Sequence, residues 1–182
     1  MDNGAERWRS YLSGDDNALR DIINEYGMPL RMFLRSVISD PDIAEEATVE
    51  TFVKIAVKKP KYNGKASFKT WLFTIGRNTA VDMARSRKTR EAVSLDDTVQ
   101  PGDSAEDLYF RSEQSLALHS AMEKLKPEYR AVLFLRYFEN LQVKETAKII
   151  KKSENNTKVL LHRAREALRS QLEKDGFDYE IQ

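Results

Sequence analysis

Residues 142–172 read QVKETAKIIKKSENNTKVLLHRAREALRSQL, and this stretch decides the fold of the second half of the chain. Its apolar residues recur at the spacing of two helices, one over 142–152 and a longer one over 155–172, with a polar turn between them. A short helix, a tight turn and a longer basic helix are the proportions of a helix-turn-helix. A plain antiparallel hairpin would show the same pattern, so the spacing alone leaves both structures open.

The longer of these two helices is amphipathic, with Leu161, Ala164 and Leu168 on its inward side. The outward side offers polar and basic residues, namely Asn156, Lys158, His162, Arg163 and Arg165. Asparagine and arginine can read base edges through paired hydrogen bonds, and lysine mostly neutralises phosphate. This side of the helix therefore predicts a surface for duplex DNA.

Helical spacing also runs through the first half of the chain and through 116–138. Pro41 blocks continuation of the second helix, and Asp42 is predicted to cap the third. Between 93 and 112 acids, proline and glycine occur with few large apolar residues, which is typical of a tether. The sequence thus predicts an all-α fold with two small helical domains joined by a flexible acidic linker.

The net charge of +1 over 182 residues conceals charge sorted into blocks. Residues 54–90 are strongly basic, with Asp82 as their only acid, whereas acids dominate 91–114 and bases dominate 144–174. A polyanion is attracted by local patches of potential, so a near-neutral total does not exclude nucleic acid. Each block taken alone could equally be a solvated helix face.

The first basic block also contains aromatic residues. Tyr62, Phe68, Trp71 and Phe73 alternate with Lys61, Lys65, Lys69 and Arg77. Aromatic faces stack on unpaired bases while cations hold the backbone, so this mixture suits single-stranded DNA. Phe68 and Leu72 are assigned to the core, and Trp71 is left between core and DNA.

An acidic helix precedes that block, with Glu45, Glu46 and Glu50 beside Val49 and Phe52. Its charge does not suit DNA, so the face is either a docking surface for a protein or simply solvated. A DNA-processing enzyme would need an activated nucleophile or clustered carboxylates for a metal. The chain has no cysteine and two distant histidines, and no second carboxylate cluster follows, so we expect no catalysis, metal or cofactor.

The runs AEEATVETFVKI (44–55), FKTWLFTIGRNTAVDMARSRK (68–88), LKPEYRAVLFLRYFENL (125–141) and LLHRAREAL (160–168) resemble the extracytoplasmic-function (ECF) sigma factors. The resemblance covers about 8–172, with the segments in the family's order. It implies a region 2 domain over 1–90, a linker over 91–114 and a region 4 helix-turn-helix over 115–174. Residues 175–182 would form a frayed acidic tail.

The resemblance implies three binding surfaces. One docks on core RNA polymerase through Glu45, Glu46, Val49, Glu50 and Phe52. A second melts and captures the minus-ten promoter element through Lys61, Tyr62, Lys65, Lys69, Trp71, Arg77, Asn78 and Arg85. A third reads the minus-thirty-five element through Asn156, Thr157, Lys158, His162, Arg163 and Arg165.

The resemblance also implies promoter DNA and an anti-sigma factor, which is often membrane-bound in this family, as partners, but no small-molecule substrate. No stretch is long and apolar enough to span a bilayer, so we expect a soluble intracellular protein, and the resemblance implies the bacterial cytoplasm. A stand-alone helix-turn-helix regulator remains the alternative, although it would give the acidic face and the aromatic-basic helix no role.

Seven positions depart from the family's usual residues, and four of them, Asn155, Asn156, Thr157 and Val159, replace glycine, threonine, valine and serine at the start of the recognition helix. The other three bear on specific contacts or on the backbone. Val49 replaces a glutamine, Leu160 replaces an arginine, and Lys151 replaces a glycine that ends a helix. A left-handed backbone at Lys151 would cost about 1 kcal/mol more than at glycine. Since Leu160 would remove a phosphate or base contact, we expect a divergent promoter element or more reliance on the first domain.

Overall fold

The computed structural model describes residues 3–91 and 113–176, and the side chains of 90, 91 and 113–117 lie outside this description. The helices are α1 (Gly4–Leu12), α2 (Asp16–Val37), α3 (Pro41–Lys58), α4 (Phe68–Glu91), α5 (Glu113–Glu123), α6 (Pro127–Leu133), α7 (Val143–Ile150) and α8 (Glu154–Lys174). A π-helical segment, Phe134–Phe138, continues α6. The described residues contain no strand, which confirms the all-α prediction. Nearly all of the predicted linker, and the predicted tail after Gly176, lie outside the described residues.

Side-chain oxygens fix where several helices begin. Asp15 accepts a hydrogen bond from the amide of Asn17 at the start of α2. At the start of α3 the cap is Asp40, whose carboxylate accepts from the amides of Asp42 and Ile43. The prediction that Asp42 caps α3 is therefore wrong by two residues, because Pro41 already occupies the first helical position, where its missing amide hydrogen costs nothing.

The first four helices form one bundle around α2, whose buried side includes Ile22, Leu30, Phe33 and Leu34. Phe33 stacks on Phe73 of α4 with ring centroids 5.3 Å apart. Gly76 lets α4 approach α2 closely, since a Cβ built there would lie 2.8 Å from Leu30 Cδ1. Each fully buried side chain of this size stabilises the bundle by about 1.5 to 3 kcal/mol.

The second unit packs α6, α7 and α8 around Val132, Leu133 and Ala164. The amide of Glu139 donates to the carbonyl of Phe134 at 3.2 Å, the spacing that closes a π-helical turn. Lys151 ends α7 with φ 57°, in the left-handed region that its sequence position predicted.

The two helical units pack against each other in the described structure, with α4 against α7 and α2 against α6. Their buried side chains form one continuous apolar cluster. Phe33 of α2 and Phe134 contact across the junction with ring centroids 6.5 Å apart. This packing places α7 directly beside α4, the helix that carries several of the candidate minus-ten residues.

Candidate nucleic-acid and protein-binding surfaces

Helix α8 has one buried and one exposed face. Ser153 caps it by accepting from the amide of Asn156 at 3.2 Å, and Leu161 and Ala164 pack inward. The predicted DNA-binding residues that lie fully on the exposed face are Asn156, Lys158, His162, Arg163 and Arg165. These side chains do not pack in the hydrophobic core, and the exposed acids of α8 are Glu154, Glu166 and Glu173.

Two positions of α8 face inward instead. Thr157 is 0% exposed and its hydroxyl donates to the carbonyl of Ser153 at 2.9 Å, so the prediction that it contacts DNA is wrong for this arrangement. Leu160 is buried at the junction of the two units, in a cavity that Arg77 and Val81 of α4 also line. The expectation that Leu160 removes a DNA contact is therefore also wrong, because this side of α8 faces the protein.

Helix α7 contacts α4 through Glu145. One carboxylate oxygen accepts from the amide of Gln142 at 3.1 Å, which satisfies a free donor at the start of α7. The other accepts from the hydroxyls of Ser67 at 2.7 Å and Thr70 at 3.1 Å. The start of α4 is thus held by α7 of the second unit.

The predicted minus-ten residue Lys69 takes part in the same junction. Its Nζ lies 2.9 Å from Glu139 Oε2, and the Glu139 side chain is only 3% exposed. The Lys69 side chain keeps 27% of its surface exposed. In this arrangement the Lys69 ammonium is engaged with protein, which sequence spacing could not reveal.

An aromatic cluster surrounds Trp71. Its ring centroid lies 5.4 Å from Trp8, 5.4 Å from Tyr62 and 5.2 Å from Phe68. Trp8 and Phe68 are buried, whereas Trp71 and Tyr62 are half-buried, and the Tyr62 hydroxyl donates to the carbonyl of Ala66. Trp71 therefore closes the core on one side and presents surface to solvent on the other.

The remaining predicted minus-ten residues spread along α4 and the loop before it. Lys61 and Lys65 are exposed on the loop, and Arg85 is exposed on α4. Arg77 is half-buried, and its pKa is lowered by desolvation and then by the nearby Arg85 charge. Asn78 has a buried Oδ1 that makes no hydrogen bond within the described residues. Arg77 lines a depression together with Ile150 of α7 and therefore lies at the junction of the two units.

The acidic face of α3 borders an open depression lined by Glu45, Glu46, Val49 and Glu50. Val49 is 60% exposed, and Met83 of α4 also lines the depression, which the sequence reading missed. Glu45 lies 3.9 Å from a guanidinium nitrogen of Arg31, and Glu50 lies 3.9 Å from Lys54 Nζ.

Phe52 does not belong to this face. Its side chain is buried in the bundle, so its prediction as a polymerase contact is wrong in this structure. The exposed apolar positions are Val49, Val53 and Val57, which recur every fourth residue along α3. This four-residue spacing of valines is visible in the sequence, and it could have identified Val49, Val53 and Val57 as one exposed stripe of α3.

No helix within residues 3–91 and 113–176 could cross a membrane. Within those same two ranges, no group of three or more His, Cys, Asp or Glu side chains could hold a metal ion. The exposed candidate binding residues form two polar surfaces, a cationic one on α8 and an acidic one on α3. A helix-turn-helix with a cationic outer face, packed on a bundle with an aromatic-basic helix, defines the class of all-α DNA-binding proteins.

Comparison with known proteins narrows this class. Residues 22–90 match the family model for Sigma-70 region 2, and residues 115–168 match that for Sigma-70, region 4. The chain is 30% identical over 152 residues to the ECF RNA polymerase sigma factor SigM of Bacillus subtilis, covering 82% of this chain and 92% of SigM. It is 27% identical over 178 residues to SigW of the same organism, covering 92% and 95%.

Solved structures share the fold. A sigma factor RpoE from Bartonella quintana, crystallised with the anti-sigma factor NepR, superposes with a TM-score of 0.64 at 24% identity, over 85% of this chain and 96% of that one. CnrH, solved with the cytosolic domain of CnrY, gives a TM-score of 0.63 at 22% identity, over 94% of this chain and 96% of CnrH.

The identity to SigM and the two family-model matches show that the chain belongs to the ECF RNA polymerase sigma factor family and functions as a sigma factor.

Proposed function

We propose that this chain binds bacterial core RNA polymerase and directs it to promoters through three separate surfaces. The observation that supports this most directly is the two-sided α8, whose buried face fixes the helix while its exposed face presents Asn156, His162 and Arg163. An α-helix fits the major groove of duplex DNA, where each base pair has a distinct pattern of donors and acceptors. α8 is therefore the reader of the minus-thirty-five element.

The loop over 59–66 and α4 capture the minus-ten element as single strand. Lys61 and Lys65 are exposed to hold the backbone, and Trp71 and Tyr62 offer partly exposed rings for stacking. Capture of an unstacked base offsets the few kcal/mol that melting costs, so no ATP is required. Lys69 joins this surface only after it separates from Glu139.

The outer face of α3 docks on core polymerase. Its exposed valines supply apolar area that is not buried in the protein's own hydrophobic core. Glu45, Glu46 and Glu50 supply negative charge that selects a basic surface on the partner. Val49, which replaces the family's usual glutamine, then contributes an apolar contact in place of a polar one. This division assigns 1–90 to polymerase and minus-ten DNA, 91–114 to a linker and 115–174 to minus-thirty-five DNA.

The proposed role requires no catalytic group, cofactor or small-molecule substrate in this chain, because a sigma factor contributes binding while the polymerase performs the chemistry. The chain would act in the bacterial cytoplasm, where its polymerase works. An anti-sigma factor is a further proposed partner, since a structural neighbour was crystallised with one. We propose that such a partner competes with polymerase for this chain.

Run-off transcription tests the proposal. Fragmented host genomic DNA is transcribed by bacterial core polymerase with and without the chain, and the starts are mapped. New starts that share two spaced upstream elements are expected. Absence of starts, together with binding of duplex DNA by the chain alone, would favour the stand-alone regulator.

Two matched pairs of variants test which surface binds which partner. Val49→Asp should weaken binding to core polymerase, whereas Ile23→Asp, at another exposed apolar position on α2, should leave it unchanged. Arg163→Ala should reduce the salt slope of duplex binding by about one unit if that guanidinium contacts a phosphate. Arg169→Ala, on the same helix but paired with Glu173, should keep the slope. Equal effects within either pair would remove that surface from the proposal.

A further inference from the structure

Val159 lies at the centre of the exposed face of α8. Successive residues of an α-helix turn by about 100°, so Val159 is opposite the buried Thr157, Leu161 and Ala164. Its side chain is 50% exposed, and no other large apolar side chain of α8 is exposed in the part that the structure describes. A single apolar side chain therefore occupies the middle of a face that is otherwise polar and charged.

The neighbours of Val159 on that face are hydrogen-bond donors and cations. Asn156 lies one turn before it, and His162 and Arg163 lie one turn after it. Residues three or four apart on a helix have Cβ atoms about 5 to 6 Å apart. A base that meets Val159 is thus within one or two base pairs of the bases or phosphates that these polar side chains reach.

The major groove offers one apolar group that a valine could meet, the C5-methyl group of thymine. The branched Val159 side chain has a strongly restricted χ1 angle in a helix, so its two methyl groups are held in place before DNA binds. It can donate no hydrogen bond to guanine or adenine and accept none from cytosine. Its chemistry therefore favours thymine over the other three bases.

We propose that Val159 is a specificity-determining residue that selects a thymine in the minus-thirty-five element through contact with its methyl group. This inference rests on the proposed function, because it requires α8 to enter the major groove. It adds that one thymine is read through apolar contact, between positions that Asn156 and Arg163 contact through polar groups.

The test uses the promoter obtained from run-off transcription. Each thymine of its minus-thirty-five element is replaced singly by deoxyuridine, which removes only the methyl group and preserves base pairing. Polymerase holoenzyme containing the full chain is then offered thymine and deoxyuridine duplexes in competition. At one position the thymine duplex should bind about fourfold tighter, the ratio expected for one buried methyl group.

Variants connect this preference to Val159. Val159→Ala should reduce the thymine preference at that position to near unity, and Val159→Thr, which keeps one methyl group, should give an intermediate value. Arg163→Ala should weaken binding to both duplexes and leave their ratio unchanged. Because Val159 is exposed, these variants should retain the helical circular dichroism of the parent chain.

The possible results distinguish failure of the proposed sigma function from failure of the proposed role of Val159. If no promoter directs transcription, the proposed function fails and the inference fails with it. If the promoter is active but no deoxyuridine substitution changes affinity, or if Val159→Ala keeps the full preference, the role of Val159 is overturned while the sigma function stands.

Discussion

The ion pair between Lys69 and Glu139 gives a sharp test of the packing between the two helical units. We consider three variants: Lys69→Met, Glu139→Gln and the two together. Lys69→Met leaves a carboxylate that is only 3% exposed without its cation. Glu139→Gln instead leaves an ammonium whose side chain is 27% exposed and can turn toward water. The two single variants should therefore destabilise the protein unequally.

The structure sets the magnitudes. At 2.9 Å and an effective dielectric constant of about 20, the attraction between the charges is about 6 kcal/mol, most of which offsets their desolvation. Breaking a fully buried pair costs about 3 to 5 kcal/mol. Since Lys69 is partly exposed, Lys69→Met should lose about 3 kcal/mol, at the lower end of that range. Glu139→Gln should lose about 1 to 2 kcal/mol, because no charge remains fully buried.

Urea unfolding, followed by circular dichroism, measures these losses. Both tryptophans, Trp8 and Trp71, lie in the first unit, so their fluorescence reports that unit separately. The double variant should lose less than the sum of the single variants, with a coupling free energy of at least about 1 kcal/mol. The exposed pair between Arg169 and Glu173 is the control, with an expected coupling of about 0.3 to 0.5 kcal/mol.

A coupling free energy below about 0.5 kcal/mol for Lys69 and Glu139 would refute the reasoning, since it would mean that the pair does not form in solution. Lys69→Met losing no more than Glu139→Gln would also contradict it. Binding of single-stranded minus-ten DNA provides an independent readout. Glu139→Gln should raise this affinity by releasing Lys69, whereas Lys69→Met should lower it.

Three further outcomes are expected from local geometry. Gly76→Ala should lower the urea midpoint, because its Cβ would lie 2.8 Å from a buried leucine, whereas Gly27→Ala has open space and should raise stability by about 0.4 to 1 kcal/mol. Lys151→Gly should stabilise by up to about 1 kcal/mol in thermal unfolding, since φ there is 57°. The pKa of Asp175 is lowered by a hydrogen bond from Lys124, so the stability it contributes is present above its unfolded pKa and is lost as pH falls through its folded pKa. Lys124→Ala should raise that pKa in an NMR titration.

The presence of the helices and of the helix-turn-helix could be predicted from the sequence, because both depend on the local spacing of apolar residues. The errors share one cause, which is that spacing does not fix the angular phase of a helix. Phe52 and Thr157 lie close to exposed residues in sequence but on the buried sides of α3 and α8. The cap of α3 was misplaced by two residues for a similar reason, because Asp40 and Asp42 both flank the proline and only the backbone geometry distinguishes them.

The contacts across the junction could not be predicted from local patterns at all. Glu145 is 78 residues from Ser67 and 75 from Thr70, and nothing in either segment encodes their meeting. In the sequence, Lys69 looks like one more cation of a basic block. Only the packing of the second unit on α4 shows that the carboxylates of Glu139 and Glu145 meet the polar groups at the start of that helix.

This arrangement links the two helical units energetically. The carboxylates of Glu139 and Glu145 engage Lys69, Ser67 and Thr70, which are the kinds of donor that hold a DNA phosphate. One ammonium cannot keep a 2.9 Å contact with Glu139 and also neutralise a phosphate in its place. If α4 captures DNA as proposed, its apparent affinity is reduced by the fraction of molecules in which this junction is closed. Partners that hold the units apart would therefore raise minus-ten affinity without touching the DNA, and core polymerase would be such a partner if it engages both units at separate promoter elements, as proposed.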